Sequence, residues 1–130
     1  MLLYDRDAMT NSREIPIRRS ASWMTLWDDR LLELLASNDV MSVSRLASEE
    51  FIQIGQSQVS RRLSKLHENN VLIKQSRGVY SLNITGAGYL CGEYDLESEC
   101  WIEFDGPDEF RKKYDLDSHP RKIRFQDTLT

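Results

Sequence analysis

Histidine and cysteine, which commonly supply metal ligands and nucleophiles, are scarce in this chain of 130 residues. Its histidines are His67 and His119, and its cysteines are Cys91 and Cys100. Neither cysteine lies in a CxxC motif or beside a histidine, and two thiols are too few for a disulfide framework, so we expect free thiols and no zinc site. The sequence also lacks a Gly-rich phosphate loop and a nucleophile elbow. We therefore predict no catalytic residue, no metal, no cofactor and no enzymatic activity.

Long apolar runs are also missing. No stretch approaches the roughly 18 apolar residues that a membrane-spanning helix needs, and charges interrupt the first twenty residues, where a signal peptide would need an unbroken apolar segment. These absences predict a cytoplasmic protein with no membrane partner. A chain of this length accommodates one compact core with tails.

Charge is unevenly distributed along the chain. The net charge is -4, which taken alone argues weakly against a polyanionic partner. However, the segment from Ser57 to Arg77 carries five basic residues and a single acid, whereas the segment from Cys91 to Glu109 carries eight acids and no base. The position of the charge therefore indicates more about function than its sum does.

Two helices are predicted in the first half of the chain. Thr25 and the acid three residues later have the spacing of a capping box, and apolar residues then recur on one face, which predicts a helix at about 25–37. Ser42 has the position of an N-cap for a second helix at about 43–50, in which Phe51 is expected to face inward.

A third helix is predicted at about 57–68, because Val59, Leu63 and Leu66 repeat with the spacing of a narrow buried stripe. At 100° per residue, Ser57, Arg61, Ser64 and Lys65 lie on the opposite face, Gln58 and Ser60 lie at its borders, and Arg62 lies on a flank.

A β-hairpin is predicted after this helix, with strands at Val71–Gln75 and Val79–Asn83. Gly78 would give the connecting turn a left-handed residue. Thr85 has the position of a cap for a fourth helix, although the two glycines that follow it lower the intrinsic stability of that helix.

The predicted organisation has three parts: a flexible N-terminal arm at 1–21, a folded domain at 22–92, and a C-terminal extension at 93–130 that is first acidic and then mixed in charge. Within the extension, Trp101–Phe104 has the composition of a strand or docking segment, and Pro107 can open a helix that runs to about residue 114. The fold class is mainly α with a small two-stranded antiparallel wing, a winged helix-turn-helix, because none of these short elements can bury its apolar stripe alone.

The third helix carries groups suited to the major groove of DNA: guanidinium for guanine, amide for adenine and hydroxyl for phosphate. The wing would place cations near the backbone or the minor groove, and the arm is a weaker candidate, since arginines in a polar tail are commonly only solubilising. The predicted contacts are Gln56, Ser57, Gln58, Ser60, Arg61, Arg62, Ser64 and Lys65 in the helix, Lys74, Gln75, Ser76 and Arg77 in the wing, and Arg18 and Arg19 in the arm. A charged face is also typical of any solvated helix, and it is the combination with the hairpin that favours DNA.

Several segments resemble winged-helix proteins of haloarchaea that are similar to the repressor of the archaeal phage phi-H. The likeness covers roughly residues 22–96, and its most specific parts are the Trp-Met-Thr opening and the Val-Ser-Arg-Arg segment. It is carried by Ser22–Thr25, Trp27–Leu35, Gln58–Leu63, Gly78–Leu82 and Gly88–Glu93. The resemblance implies a DNA-binding transcriptional regulator, a repressor, with Ser60, Arg61 and Arg62 in the recognition helix. Residues 49–54 depart from the pattern and make the turn before that helix hard to align.

These observations predict double-stranded DNA as the partner of a homodimer, with no small-molecule effector evident. The alternative is a winged-helix module for protein interaction, whose acidic extension binds a basic partner or covers the basic face of its own domain. The operator sequence, the dimer interface and the inducing signal do not follow from the sequence.

Overall fold

A computed structural model describes residues 17–114, and it shows a helix-rich fold with small antiparallel sheets. The helices are α1 (Leu26–Ser37), α2 (Val43–Ala47), α3 (Gln56–Glu68), α4 (Ile84–Leu90) and α5 (Pro107–Tyr114). The strands are β1 (Met41–Ser42), β2 (Leu72–Ser76), β3 (Val79–Leu82), β4 (Tyr94–Asp95) and β5 (Cys100–Trp101). None of the helices within 17–114 has the length and apolarity to cross a membrane.

Helix α1 begins where the sequence predicts. A carboxylate oxygen of Asp28 accepts a hydrogen bond from the Thr25 backbone N–H at 2.8 Å, which satisfies one of the donors that a helix N-terminus leaves unpaired. Leu31, Leu32 and Leu35 are buried on its inner face. This helix contacts α3, α4 and β3, so it lies at the centre of the fold.

Helix α2 is shorter than predicted. Ser42 caps it as expected, accepting from the Arg45 N–H at 3.1 Å. The chain then leaves the helix after Ala47 and continues as a turn closed by a bond from the Ile52 N–H to the Glu49 carbonyl at 3.0 Å. The prediction that Phe51 faces inward is wrong: its side chain is 62% exposed, and Ile52 is buried in its place.

The predicted two-stranded ribbon is the larger part of a three-stranded sheet in the order β1-β3-β2. The short strand β1 pairs antiparallel with β3, with Met41 opposite Tyr80. Two residues are too few to show an alternating pattern in the sequence, so periodicity could not reveal this strand. Gly78 has the predicted positive φ, at 72°.

Helix α4 is capped by Asn83, which corrects the assignment of the cap to Thr85. The Asn83 side chain accepts from the Gly86 N–H at 2.8 Å, while Thr85 is buried. A Cβ at Gly86 would lie 2.5 Å from the Val71 carbonyl oxygen, and one at Gly88 would lie 2.4 Å from the Trp101 ring. Close packing therefore explains two glycines in a helix, where their propensity is poor.

Residues beyond the predicted boundary at 92 pack against the rest of the fold. Tyr94 and Leu96 belong to the main buried cluster. Phe110 on α5 is fully buried, with its ring centroid 5.1 Å from that of Trp101 and 5.8 Å from that of Phe104. The predicted helix at 107–114 is confirmed, and it contacts α4.

A polar cluster joins Ser20 to α1 and α4. The buried Tyr89 hydroxyl donates to Asp29 at 2.5 Å and lies 2.8 Å from the Ser20 hydroxyl. Burial is the main cause that raises the pKa of Tyr89, and the bond to Asp29 raises it further. The neutral phenol is therefore favoured in the folded state.

This raised pKa predicts a loss of stability at alkaline pH. Below about pH 10 the phenol is neutral in both states, and above it only the unfolded chain releases the proton, so the free energy of unfolding falls as pH rises. Between pH 10 and 11 the wild type should lose about 1 kcal/mol more than Tyr89→Phe does. Urea titrations of both proteins across this range measure the difference, and parallel pH profiles would contradict the expectation.

Candidate nucleic-acid interface

Helix α3 presents three distinct surfaces. Val59, Leu63 and Leu66 are fully buried, which confirms the predicted inner stripe. At 100° per residue from Val59, the positions on one side of this stripe face the three-stranded sheet, and those on the other side face the start of α1. The remaining crest projects into solvent.

The flank of α3 that faces the sheet forms one wall of an open groove of about 590 Å³. Its helix wall carries Gln56, Ser57, Ser60 and Ser64, and its sheet wall carries Lys74, Arg77, Gly78 and Tyr80, with Val43 between them. Short hydroxyl side chains recur along the helix wall. Because cations stand opposite these hydroxyls, the groove suits an extended anion such as a phosphodiester backbone.

The crest of α3 carries Arg61, about 200° around the helix from Val59. Its side chain is exposed, and the structure gives it no hydrogen bond or ion pair within residues 17–114. Gln58 and Lys65, which are also exposed, lie on the side of the crest away from the groove. The side chains predicted as one outward face are therefore divided between a groove wall and a crest.

Arg62 does not belong to the DNA-facing set predicted from the sequence. Its guanidinium binds the carboxylate of Asp28 through two hydrogen bonds, of 2.9 and 2.7 Å, and donates to the Trp23 carbonyl at 3.1 Å. The Asp28 side chain is 0% exposed, and its hydrogen bond is the main cause that raises the pKa of Arg62. We correct the assignment: Arg62 joins α3 to the N-terminus of α1.

The Lys65 side chain also points toward the flank of α3 that faces the start of α1. Its ammonium nitrogen lies 5.7 Å from the centroid of the Trp23 ring, within cation–π range. The Trp23 ring also packs partly against the core cluster. A tryptophan in an amphipathic pattern predicts packing against the core. The pattern does not indicate that the ring also contacts an exposed lysine.

The predicted wing residues differ in their surroundings. Lys74 and Arg77 are exposed at the groove, as expected for contacts with an anion. The Gln75 amide donates to the Ser81 hydroxyl at 2.8 Å across the strand pair, and β2 has a register irregularity between Lys74 and Ser76. Ser76 is exposed at the end of β2.

The structure describes the arm only from residue 17 onward, and there Arg18 is not extended toward solvent. Its guanidinium binds the Glu33 carboxylate at 2.5 Å and donates to the Leu90 carbonyl at 3.3 Å. Arg19 is exposed but accepts a backbone bond from the Leu96 N–H at 3.0 Å. Arg18 therefore contacts α1 instead of the predicted DNA groove, and residues 1–16 of the arm lie outside the described residues.

Comparison with protein-family models gave no match, and comparison with curated proteins gave none either. Among solved structures, the chain is similar to the crystal structure of the PhiH1 repressor-like protein from Haloarcula marismortui. The two share 43% sequence identity with a TM-score of 0.65, and the match covers 66% of this chain and 98% of that one. Since the likeness spans nearly the whole of that protein at this identity, the chain belongs to the PhiH1 repressor-like family.

Proposed function

We propose that this protein is a transcriptional regulator that binds double-stranded DNA in a sequence-specific manner through a winged helix-turn-helix. In this proposal α3 enters the major groove, and the β2–β3 turn contacts the phosphate backbone or the minor groove. The observation that carries it is the exposed crest of α3 beside a groove whose far wall bears Lys74 and Arg77. The repressor-like name of the similar protein supports the same role.

In this proposal the crest of α3 contacts bases and its groove wall contacts phosphates. Arg61 has the reach and the fork of donors that read guanine O6 and N7, and Gln58 can pair with adenine N6 and N7. The serines along the groove bind phosphate rather than bases. Serine hydroxyls commonly donate to phosphate oxygens, and every DNA sequence presents the same phosphates. The crest residues then determine which base sequence is bound, and the groove contacts fix the position of the helix along the duplex.

We further propose that the protein acts as a repressor and a homodimer and that it is not an enzyme; its sequence makes no small-molecule effector evident. A dimer places two recognition helices on half-sites about one helical turn apart, which doubles the base contacts available to a small domain. Footprinting on the DNA that flanks the gene tests both the activity and the spacing. A protected region with two half-sites supports the proposal, and the absence of protection on any duplex would overturn it.

Arg61 provides the sharpest test of the recognition helix. Arg61→Ala should weaken binding to the footprinted site by about 5- to 150-fold, the equivalent of about 1–3 kcal/mol for one bidentate base contact. Its melting temperature should stay close to that of the wild type, because the side chain is exposed and has no hydrogen bond or ion pair within residues 17–114. Fluorescence anisotropy with a labelled duplex measures the affinity.

The matched control for this variant is Arg111→Ala. It removes the same charge from α5, which contacts α4, so any loss of affinity from net charge alone appears in both variants. Equal affinities of the two variants would show that α3 does not read the bases through Arg61.

A further inference from the structure

We propose that Trp23 and Lys65 form a second phosphate-binding edge of the DNA interface, on the flank of α3 opposite the sheet. The inference rests on the proposed function and deepens it. A helix in the major groove lies between two phosphate backbones, and the groove beside the sheet accounts for only one of them. The other backbone would pass the flank where the Ser22–Met24 turn meets α3.

The placement of this edge follows from the contacts of α3. Around the helix axis the groove-lining serines fall at about 100–160° from Val59, Arg61 at about 200°, and Lys65 at about 240°. Lys65 and the groove cations therefore lie on opposite sides of Arg61. The base-reading crest therefore has positive charge on both sides.

The Ser22–Met24 turn is joined to α3 by two contacts. The Arg62 guanidinium donates to the Trp23 carbonyl at 3.1 Å while it is bound to the buried Asp28. The Trp23 ring packs partly against the core and carries the Lys65 ammonium 5.7 Å from its centroid. Lys65 is thereby oriented before any ligand arrives, which lowers the entropy that it loses on binding.

The indole N–H of Trp23 is the second donor at this edge. The structure gives it no hydrogen-bond acceptor within residues 17–114, although the side chain is only partly exposed. Half-buried tryptophans commonly direct this N–H to an acceptor, and a phosphate oxygen is a strong one. An ammonium and an indole N–H side by side match the backbone of DNA, and neither group reads a base.

One acid borders this edge. A Glu97 carboxylate oxygen accepts from the Ser22 N–H at 2.6 Å, so the amide of Ser22 is occupied and a negative charge lies one residue from Trp23. A phosphate is therefore excluded from the Ser22 side of the turn and is expected between the indole and Lys65. The Arg62 charge beside the Trp23 carbonyl is neutralised by Asp28.

The test compares Lys65→Gln and Trp23→Phe with Trp27→Phe as the matched control. Trp27 is also partly buried against the core, and the Arg30 guanidinium lies 5.6 Å from its ring, but it belongs to α1. Each protein is titrated with the footprinted duplex and with an unrelated duplex of equal length, at several salt concentrations. Melting temperatures establish that the variants are folded.

Lys65→Gln should weaken binding to both duplexes by a similar factor and reduce the slope of log K against log salt by about 0.9, the value for one lost phosphate contact. Trp23→Phe keeps an aromatic ring against the core but removes a neutral donor, so it should weaken binding to both duplexes by about tenfold with no change of slope. Trp27→Phe should bind both duplexes like the wild type.

The second edge is overturned if Trp23→Phe and Trp27→Phe bind alike, or if Lys65→Gln leaves the salt slope unchanged. Its failure is distinguishable from that of the proposed function. If Arg61→Ala loses the specific site while the Lys65 and Trp23 variants keep full affinity, only the second edge is wrong. If the wild type binds neither duplex, both proposals fall.

Discussion

Replacing Asp28 with alanine is expected to lower the free energy of unfolding by about 3–5 kcal/mol, the cost of breaking a buried ion pair from one side. The Asp28 carboxylate is fully buried and accepts bonds from Arg62 and from the Thr25 N–H. Without it, a largely covered guanidinium loses its counter-charge, and α1 loses an N-terminal cap. Few single substitutions in a domain of this size have such an effect.

Denaturant unfolding of the wild type and the variant measures this cost. The control is Asp108→Ala, which breaks another short ion pair, 2.9 Å from Asp108 to Arg111, but an exposed one with side chains 88% and 39% accessible. Exposed pairs contribute about 0–1 kcal/mol. A similar small loss in both variants would mean that the link between α1 and α3 is not structural.

Phe110→Ala is expected to have the second large effect. It should lower the free energy of unfolding by about 3–5 kcal/mol, because it leaves a cavity at an aromatic-lined position in the core. Phe110 is fully buried and packs with Trp101 and Phe104 beside Ala87 and Cys91. The loss should appear in the same cooperative transition as that of the whole protein, since α5 packs on α4, which contacts α1.

Phe51→Ala provides the matched control, because it deletes the same ring from a position that is 62% exposed. Surface substitutions of this kind change stability by about 0.5 kcal/mol or less. If the two variants unfold alike, or if the Phe110 variant shows a separate early transition, then α5 is not part of the cooperative core.

The packing of residues 94–110 also determines how a role of the extension in DNA binding can be tested. Tyr94, Leu96 and Phe110 are buried, so deletion from residue 93 would expose the core and confuse folding with function. A truncation after residue 114 leaves these contacts in place. Tighter DNA binding by that protein would indicate an inhibitory tail, and a loss of dimer would indicate an assembly role.

Much of the fold was predictable because local chemistry decides it. The caps at Thr25 and Ser42, the stripe of Val59, Leu63 and Leu66, and the proline that opens α5 all act within one or two turns of chain. The errors arise where local signals are weak. The cap of α4 moved from Thr85 to Asn83, and the inward position moved from Phe51 to Ile52; both are shifts of one or two residues that a distant packing partner decides.

The candidate interface shows the same contrast between what local sequence decides and what distant packing decides. The sequence alone determined that α3 has one apolar stripe and a polar remainder, since the order of residues sets which side chains share a face. The tertiary structure decided which polar residues are free to meet a ligand. Arg61 and Arg62 are adjacent and chemically identical, yet Arg61 projects into solvent while Arg62 is bound to an aspartate 34 residues away along the chain. Periodicity describes a helix in isolation, whereas the partner of each flank depends on contacts that form only when the chain is folded.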